Sequence, residues 1–373
     1  MNADVVVVGG GLVGASIALG LVKKGLEVLV IDGEDRDFRA SNANGGLVWQ
    51  HTKGLGNPHY QALTRQSVDV WGAFRDELEH LAGIEVPYQQ SGGLQLCLGE
   101  NAFSKRRSDL ERLHNQIVGT PSETELLDRP ALDRLLPGVR FGKDVTGASY
   151  CRRDGFANPL ATLAALHIAI VRLGGHIRGG MTVRNVVQND AGLFLIDYGY
   201  ETATASKVVL AAGLGSAALG AHLGLAIPIS PLRGQILITE RVEPFLPVPI
   251  LGLAQLQEGT VMIGTTHEHA GLDAAVTADA ATSMSAEAVR MIPALAMLKV
   301  VRQWAGLRVM TPDGYPIYAQ SKSHPGAFVA TCHSGVTLAA AHATMIADGI
   351  AAGAFPNDLA AFTPDRFSKT DLN

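Results

Sequence analysis

The chain has 373 residues, of which 47% are hydrophobic and 17% are charged, and its formal net charge is −5. This composition predicts a globular protein of two domains, and a negative net charge without a basic run argues against nucleic acid or an anionic membrane surface as a partner. Cys97, Cys151 and Cys332 are too few and too far apart for a disulfide framework or a C-x-x-C site, which indicates a reducing cytoplasm.

The first 32 residues predict a strand, a turn, a helix and a second strand. The run of four valines at 5–8 is typical of a parallel strand that is buried on both faces. Gly9, Gly11 and Gly14 follow as G-x-G-x-x-G, and Asp32 ends the second strand. This order predicts a dinucleotide site, in which Gly9 allows the turn, Gly11 admits a pyrophosphate and Gly14 lets the helix pack closely. Asp32 is placed to hold a ribose hydroxyl.

The same stretch is predicted to be neither a signal peptide nor a membrane span, because no basic region precedes it and glycines interrupt it. Residues 40–46, with the sequence ASNANGG, then form a polar loop directly behind the second strand. From composition alone this loop is a solvated turn. Its place in the fold lets backbone amides and short side chains reach the phosphates or the ring of the same ligand.

The segment between Trp49 and Asp144 shows no catalytic pattern, so we expect it to cover the substrate. Apolar spacing predicts helices at 60–81, 103–117 and 128–136, and other patterns predict strands at 94–98 and 146–151.

A further helix is expected from Asn158 to about Gly174, where a capping residue and a glycine mark its two ends. A buried strand at 207–211 then ends in Ala212 and Gly213. A small turn at the end of such a strand suits the ligand crevice of an open sheet.

The sequence pattern changes in residues 227–306, where prolines and glycines separate the predicted strands. We expect an antiparallel sheet with strands at 234–240, 249–255 and 261–265 and one helix at 286–296. His267 and His269 flank Glu268 in a pattern that metal ligands can adopt. Alternate histidines at a strand end are more often a polar edge, and no third ligand is near in sequence, so no metal site is predicted.

Arg308 lies in an otherwise apolar strand near the end of the chain, where an unpaired charge would be costly. From the residues alone, a structural salt bridge and a ligand carboxylate are equally good partners for it. A helix is predicted at 336–350, behind a small turn at Ser334 and Gly335. The free amides at such a helix end can hold an electron-rich group.

Several separate stretches resemble one family over nearly the full length, namely the FAD-dependent amino acid oxidoreductases that include D-amino acid oxidase, glycine oxidase and sarcosine oxidase. They are VVVVGGGLVG, ASNANGGL, DGFANP, VVLAAG, PLRGQ, GTVMIGTTHE, GLRVMTPDGYP and CHSGVTLA. Within this family, ASNANGGLVW followed by KG at residues 53–54, and the shortened CHSGVTLAAAHA, look most like the flavin (beta) subunit of opine dehydrogenase, D-hydroxyproline dehydrogenase and hydrogen cyanide synthase.

The resemblance implies an α/β fold, α+β overall. A glutathione-reductase-like FAD-binding Rossmann domain would comprise residues 1–48, 145–225 and 306–373. A discontinuous, mostly antiparallel substrate domain would comprise residues 49–144 and 226–305 and lie over the flavin.

The resemblance also implies which residues contact FAD and substrate. Arg308 falls where these enzymes place the arginine that clamps the substrate carboxylate, which favours a ligand over a salt bridge. The positions that match FAD contacts are Gly9, Gly11, Leu12, Val13, Gly14, Asp32, Ser41, Asn44, Gly45, Gly46, Leu47, Val183, Ala212, Gly213, Gly306, His333, Gly335, Val336, Thr337 and Leu338.

Two positions depart from the pattern of the sarcosine oxidases. Those enzymes attach flavin to a cysteine whose matching position here is Gly306, so we expect noncovalent FAD. They also carry a lysine for oxygen activation where this chain has Met262, which weakens the case for an oxidase without excluding one, since glycine oxidases also lack that lysine.

The favoured interpretation is oxidation of the CH–NH bond of a small or N-substituted amino acid, such as an opine or D-hydroxyproline. Hydride transfer to flavin N5 would give an imine that hydrolyses. The electrons would pass to oxygen or, following the resemblance to opine dehydrogenase, to redox partner subunits in a hetero-oligomer. Two alternatives stay open: a homo-oligomeric glycine or D-amino acid type of oxidase that produces hydrogen peroxide, and a flavin-holding subunit for assembly or electron relay.

Overall fold

The structure is a computed structural model that describes residues 1–33, 39–117 and 123–367. The strands that it describes are β1 (Asn2–Val8), β2 (Val28–Ile31), β3 (Leu47–Val48), β4 (Tyr88–Gln89), β5 (Gly93–Leu98), β6 (Thr124–Asp128), β7 (Val145–Cys151), β8 (Gly155–Ala157), β9 (His176–Arg178), β10 (Val183–Gln188), β11 (Phe194–Tyr198), β12 (Glu201–Leu210), β13 (Ser230–Arg241), β14 (Leu253–Gln255), β15 (Thr260–Gly264), β16 (Val300–Met310), β17 (Ile317–Gln320) and β18 (Ala327–Thr331). The α-helices are α1 (Leu12–Lys23), α2 (Pro58–Ala82), α3 (Glu100–Asn115), α4 (Arg129–Leu135), α5 (Pro159–Arg172), α6 (Ser216–Ala221), α7 (Ala278–Met291), α8 (Ala339–Ala341) and α9 (Ala347–Ala352).

The largest sheet has eight strands, and β1 lies inside it between β12 and β2. β1 runs parallel to both neighbours, and β9 continues the parallel set beyond β2. Val5 and Val7 pack in one hydrophobic core with α1, whereas Val6 and Val8 pack in a second core on the opposite face. The expected strand with two buried faces is therefore confirmed, and it places the glycine turn at the carboxyl edge of the sheet.

Gly9 and Gly14 form the tight connection between β1 and α1. Gly9 has φ +106°, and a Cβ there would lie 2.3 Å from the carbonyl oxygen of Ala211. A Cβ at Gly14 would lie 1.9 Å from the carbonyl oxygen of Gly9. Both positions therefore require glycine, for the turn and for close helix packing respectively.

Antiparallel strands form the second part of the fold, as expected from the texture of residues 227–306. One sheet has the order β14-β15-β13-β16, and another has the order β5-β7-β6. A single bridge between Leu94 and Ile250 connects them, and both contribute to a third hydrophobic core. A small sheet of three strands has the order β3-β8-β4.

The division into two domains stays a prediction. Helix α2, which the sequence assigned to the substrate domain, places Trp71 and Phe74 in the same core as α1. Strand β7, which the sequence assigned to the FAD domain, pairs with β5 and β6. Residues 368–373 of the last predicted segment lie outside the described residues.

The helix expected at 286–296 begins earlier in the structure. The Thr277 side chain caps the Ala280 N–H, and α7 ends at Met291, before Pro293. Its first half is rich in alanine and serine and therefore carries little apolar periodicity, which is why the sequence pattern missed it. Proline at 293 cannot continue the helix, so a short 3-10 turn follows.

The helix expected at 336–350 is also less regular than predicted. α8 begins at Ala339, and a π-helical segment, His342–Ile346, separates it from α9. The His342 ring at this irregular turn is fully buried and lies 2.9 Å from the Tyr318 hydroxyl, and burial lowers its pKa to about 3. Within the described part of the chain, no helix is both long and apolar enough to cross a bilayer.

The first prediction concerns Trp71, whose buried indole N–H donates to the Val336 carbonyl oxygen at 2.9 Å. Trp71→Phe should destabilise the fold by about 1–3 kcal/mol, because it leaves a void and an unpaired buried carbonyl. Differential scanning calorimetry should show a lower melting temperature. Val70→Ala, at the exposed neighbouring position, should leave it nearly unchanged. Equal melting temperatures for Trp71→Phe and the wild type would show that the indole contact does not stabilise the fold.

Candidate active site

The amino end of α1 lies at the carboxyl edge of the main sheet, where the sequence predicts a pyrophosphate. Gly11 is the N-cap residue, its position carries no side-chain cap, and the first turn contains no acidic residue. Ser41 Oγ accepts a hydrogen bond from the Leu12 N–H at 3.0 Å, which brings the polar loop to this helix end. A Cβ at Gly11 would come within 2.8 Å of the same Ser41 oxygen. The arrangement fits a pyrophosphate, which binds to free helix amides and requires close approach to the backbone.

Asp32 lies beside this turn at the end of β2. Its Oδ1 accepts from the Gly10 N–H at 3.0 Å, and its Oδ2 pairs with Arg39 at 2.6 Å. The Asp32 carbonyl oxygen accepts from the Met181 N–H at 2.8 Å, close to the start of β10 at Val183. Asp32, which is predicted to hold the ribose, is therefore bonded to Met181, two residues before Val183, another predicted FAD contact.

Backbone and side-chain hydrogen bonds fix the polar loop. Asn44 Nδ2 donates to the Ser41 carbonyl oxygen at 3.0 Å, and Asn44 Oδ1 accepts from the Gly46 N–H at 2.9 Å. Gly46 has φ +71° and its Cβ would collide with the Ala157 carbonyl oxygen, so only glycine fits there. A Cβ at Gly45 would meet the Met262 methyl group at 3.6 Å, so β15 lies against the loop.

The predicted flavin turn, residues 333–338, packs between this loop, α1 and α2. Thr337 Oγ1 donates to the Leu47 carbonyl oxygen at 3.1 Å and accepts from the Trp49 N–H at 3.2 Å. A Cβ at Gly335 would lie 3.5 Å from Val13 and 3.7 Å from Leu12. The turn thus lies beside the amino end of α1, although more than 300 residues separate the two in the sequence.

Two side chains of α2 hold the far side of the same turn. Ser67 Oγ donates to the Thr337 carbonyl oxygen at 2.7 Å, and the Trp71 indole donates to that of Val336. The carbonyl and the following N–H of a trans peptide point in opposite directions, so the amide of Thr337 faces away from α2. This is the orientation needed to donate to an electron-rich ring edge.

The remaining predicted positions come from β12 and β16. A Cβ at Gly213, which follows β12, would meet Val309 at 3.5 Å. A Cβ at Gly306 would lie 2.4 Å from the Ala43 Cβ, so this strand position has no room for a cysteine side chain beside the loop. These contacts connect the turn after β1, the loop at 40–46, β16 and the turn at 333–338, and we call the region that they border the cleft.

Arg308 extends from β16 toward this cleft. Its Nη1 donates to the Thr266 carbonyl oxygen at 2.9 Å, and its Nη2 donates to Thr265 Oγ1. A Cβ at Gly234 would lie 2.5 Å from both Nη atoms, so the glycine of β13 makes room for the guanidinium. Burial lowers the pKa of Arg308, and Glu268 opposes this effect, but an arginine remains charged at neutral pH.

No carboxylate of the described residues lies within ion-pair distance of Arg308. Glu268, the acid that influences it, instead forms an ion pair with Arg233 at 2.7 Å. The salt bridge that the sequence left open for Arg308 is therefore absent from the described part of the protein. Its guanidinium keeps donor capacity for a ligand carboxylate.

Lys53 and Tyr60 also reach the cleft. Lys53 belongs to the KG pair of the resemblance, but the sequence predicted no role for either residue. Lys53 Nζ donates to Ser334 Oγ at 3.0 Å, and the Tyr60 hydroxyl donates to the same oxygen at 2.8 Å. Burial lowers the pKa of Lys53, and Arg308 lowers it further, whereas Cys332 and Asp154 raise it. Lys53 and Arg308 therefore lie within electrostatic reach of each other.

Two histidines complete the basic lining of the cleft. The His333 side chain keeps access to solvent, but many protein atoms surround it, as expected for a side chain in a recess. Burial among these atoms lowers its pKa to about 3, and Lys53, Arg308 and His267 lower it further. Burial and Arg308 also lower the pKa of His267. Both rings are therefore neutral at neutral pH, and the positive charge of the cleft comes from Arg308 and Lys53.

A buried network supports the loop that carries Lys53. Asp154 accepts hydrogen bonds from His51 Nδ1 and from the Gln50 N–H, the latter at 2.7 Å. Arg106 donates to the His51 carbonyl oxygen at 2.8 Å and to Ser149 Oγ at the same distance. These contacts hold residues 50 and 51 rigidly, just before Lys53 in the chain.

His51, Asp154 and Cys151 are close enough together to hold a metal ion. The described hydrogen bonds already account for His51 and Asp154, and Gln50 Nε2 lies 3.5 Å from the Cys151 sulfur. Glu268, between His267 and His269, is engaged by Arg233, Gln235 and Thr266. No metal is required to explain either group of described residues.

Comparisons with known proteins find relatives along nearly the full chain. Residues 4–349 match the family of FAD dependent oxidoreductases. The chain is 40% identical to a subunit of the opine oxidase of Rhizobium meliloti, over 98% of both chains. It is 29% identical to glycine oxidase of Pseudomonas putida, over 98% of this chain and 99% of that protein.

The fold is also similar to a solved structure. The crystal structure of glycine oxidase from Geobacillus kaustophilus superposes with a TM-score of 0.89. The match covers 98% of this chain and 99% of the other chain, at 24% sequence identity. The arrangement of sheets and helices is therefore that of a known flavoprotein fold.

The second prediction concerns Gly11 at the amino end of α1. Gly11→Val should weaken FAD binding by at least about tenfold, because its side chain occupies the approach of the pyrophosphate and displaces Ser41. Titration of the apoprotein with FAD, followed by flavin fluorescence, measures the change. Gly72→Val is the control, because a Cβ at Gly72 on α2 has no neighbour within 4 Å. Unchanged affinity in Gly11→Val would remove this helix end from the cofactor site.

Proposed function

The chain belongs to the family of FAD-dependent oxidoreductases, and from this premise we propose that it oxidises the CH–NH bond of an amino acid or an N-substituted amino acid. An opine is the favoured substrate class, since the opine oxidase relative is similar along the whole chain. FAD, when bound, accepts the electrons of the reaction and provides the redox chemistry. The protein contributes binding, orientation and the exclusion of water.

The substrate proposal rests on the environment of Arg308. This residue is a half-buried cation with no acidic partner among the described residues, and Gly234 leaves space for its guanidinium. A guanidinium can bind a carboxylate through two parallel hydrogen bonds, which fixes both the position and the direction of an amino acid. Holding the reacting carbon in one orientation lowers the entropic part of the barrier.

The amine of the substrate must be neutral to react, and a positive cleft favours that form. Arg308 and Lys53 repel an ammonium group, so they lower the pKa of an amine bound between them. The histidines of the cleft are already neutral at neutral pH, since burial and the nearby cations lower their pKa. The lone pair of a neutral amine forms the C=N bond as the hydride leaves the carbon, so this step requires no dedicated side-chain base.

The residues that hold FAD in this proposal are those of the cleft and of the β1–α1 turn. The amino end of α1 and Ser41 bind the pyrophosphate, and Asp32 binds the ribose. The turn that Trp71 and Ser67 anchor donates its amides to the flavin ring edge. FAD is noncovalent, and the lack of space at Gly306 supports this view.

The proposal has two forms, which differ in whether a partner protein or oxygen accepts the electrons from the flavin. The name of the opine oxidase relative describes one subunit of an assembly, which supports electron transfer to a partner protein. The glycine oxidase relatives favour instead a self-sufficient oxidase that passes electrons to oxygen. We favour the first form because of the higher sequence identity and because Met262, near Gly45, offers no cation for oxygen activation.

The third prediction tests Arg308. Arg308→Met should reduce kcat/KM for flavin reduction by an amount equivalent to about 2–5 kcal/mol, because the substrate carboxylate loses its partner in a partly dry site. Arg308→Lys should recover part of the loss, since it keeps the charge but not the two-point contact. Stopped-flow absorbance under anaerobic conditions measures the rate against substrate concentration.

Arg302→Met is a matched control on the same strand, because Arg302 is exposed and stacks over Trp304. It should leave the kinetics unchanged. Normal kinetics with a lowered melting temperature in Arg308→Met would instead assign Arg308 a structural role.

The fourth prediction concerns the acceptor. Reduced flavin in the isolated chain should pass electrons to an artificial dye at least about tenfold faster than to oxygen, a difference of about 1.4 kcal/mol in barrier height. Reoxidation is followed by flavin absorbance after mixing with air-saturated buffer or with an anaerobic dye. Comparable rates would favour the self-sufficient oxidase.

A further inference from the structure

Lys53 is a half-buried cation of the cleft, and the reaction described above assigns it no direct contact with the substrate. Its ammonium has three donors, and the described residues accept one of them, through Ser334 Oγ at 3.0 Å. The loop from Trp49 to Lys53 is fixed by the buried Asp154 network, so the side chain begins from a rigid backbone. Residues 53 and 334 are 281 positions apart, so this contact exists only in the folded chain.

Ser334 is saturated as an acceptor. Its oxygen has two lone pairs, and Lys53 and Tyr60 donate to them at 3.0 Å and 2.8 Å. The hydroxyl hydrogen of Ser334 is then directed to a different group. Lys53 Nζ and the Ser334 hydroxyl therefore both have hydrogens to donate, and two hydrogen-bond donors side by side suit an anionic ligand.

The charges of the cleft are not balanced within the described residues. Arg308 and Lys53 carry two positive charges, and neither has a carboxylate at ion-pair distance among those residues. Asp154 acts on Lys53 from a distance, but it is bound to His51 and also influences Arg106. A substrate with one carboxylate would neutralise one of the two cations and leave the other uncompensated, which is costly in a partly buried site.

We propose that Lys53 binds a second carboxylate of the substrate, so that the site selects N-(carboxyalkyl) amino acids over amino acids with one carboxylate. Arg308 binds the carboxylate next to the reacting carbon, and Lys53 with Ser334 binds the carboxylate of the N-substituent. Two anions opposite two cations balance the cleft. This inference rests on the proposed function, because it assigns Arg308 to the first carboxylate.

A flavin carbonyl is the other group that could accept a hydrogen bond from Lys53. The oxidised ring is neutral, so it would satisfy a donor without balancing the charge. In the proposed flavin site, the amides of residues 335–337 provide neutral donors for that edge, since the Leu338 amide is bonded to the Ser334 carbonyl oxygen. The charge balance therefore favours the substrate carboxylate.

The test uses two inert ligands that differ in one carboxylate. Diglycolate is an ether with a carboxylate at each end, and methoxyacetate has the same chain length on one side and a methyl group on the other. Both have oxygen in place of the substrate nitrogen, so binding can be measured without oxidation. Each is titrated into the FAD-loaded protein, and the change in the flavin absorption spectrum gives its Kd.

The wild type should bind diglycolate at least about tenfold more tightly than methoxyacetate, since a charge-assisted hydrogen bond is worth more than about 1.4 kcal/mol. Lys53→Met should bring the two Kd values to within about threefold, and Lys53→Arg should keep most of the preference. Lys322→Met, at an exposed lysine, is the control and should behave as the wild type. If Lys53→Met does not fold, Lys53→Gln keeps most of the side-chain volume and serves the same purpose.

Three results would overturn the inference. A wild type without a preference for diglycolate would show that the second carboxylate is not recognised. An unchanged preference in Lys53→Met would assign that carboxylate to another residue. Loss of FAD from Lys53→Met with an unchanged preference in the remaining holoprotein would assign Lys53 to the flavin.

These outcomes are distinct from failure of the proposed function. If no amino compound reduces the flavin, the proposed function fails, but the binding preference for diglycolate can still be measured. If amino acids with one carboxylate reduce the flavin as well as N-(carboxymethyl)glycine does, at equal concentration and with equal Kd, the function stands and the Lys53 inference fails.

Discussion

The candidate site depends on the anchoring of one turn, residues 333–338, by buried hydrogen bonds from distant parts of the chain. Trp71 and Ser67 on α2 bind the carbonyl oxygens of Val336 and Thr337, and the Thr337 hydroxyl bridges to Leu47 and Trp49. Buried polar groups are costly unless they are paired, so these contacts favour a single arrangement of the turn. That arrangement leaves an amide facing the cleft and places His333 and Ser334 beside Lys53.

The electrostatics of the cleft follow from the same anchoring. The Arg308 side chain extends from β16 across Gly234, and the Lys53 side chain extends from the loop that Asp154 holds in place. Each lowers the pKa of His333, whose ring is therefore neutral at neutral pH. The fold thus brings two cations together and keeps the nearest acids occupied elsewhere, Glu268 with Arg233 and Asp154 with His51. In the proposed function, an anionic substrate compensates this charge.

Local patterns predicted the parts of the fold that depend on neighbouring residues. Gly9 and Gly14 were identified because a tight turn and a close helix leave no room for a Cβ, and the structure confirms both contacts. The antiparallel sheets were likewise expected, and they are present. The amino half of α7 was missed because alanine and serine carry no apolar periodicity. The roles assigned to the FAD-contacting residues and to Arg308 stay predictions, although contacts in the structure connect the turn after β1 with the loop at 40–46 and the turn at 333–338.

Lys53 and Tyr60 could not be found by such patterns. Each depends on a hydrogen bond to Ser334 across more than 270 residues, and a lysine or a tyrosine in a loop or at a helix start carries no local signal. Sequence patterns also could not predict that Glu268 pairs with Arg233 and not with Arg308. This pairing depends on the contact between β13 and the segment after β15, which exists only in the folded chain.

The central claim is that the chain oxidises an anionic amino compound with FAD. The most direct test is to mix the purified FAD-loaded protein, without oxygen, with a panel of amino acids and N-(carboxyalkyl) amino acids, and to record the flavin absorbance. We expect loss of the oxidised flavin band with at least one N-(carboxyalkyl) amino acid. A flavin that dithionite reduces, but that stays oxidised with every member of the panel, would contradict the claim.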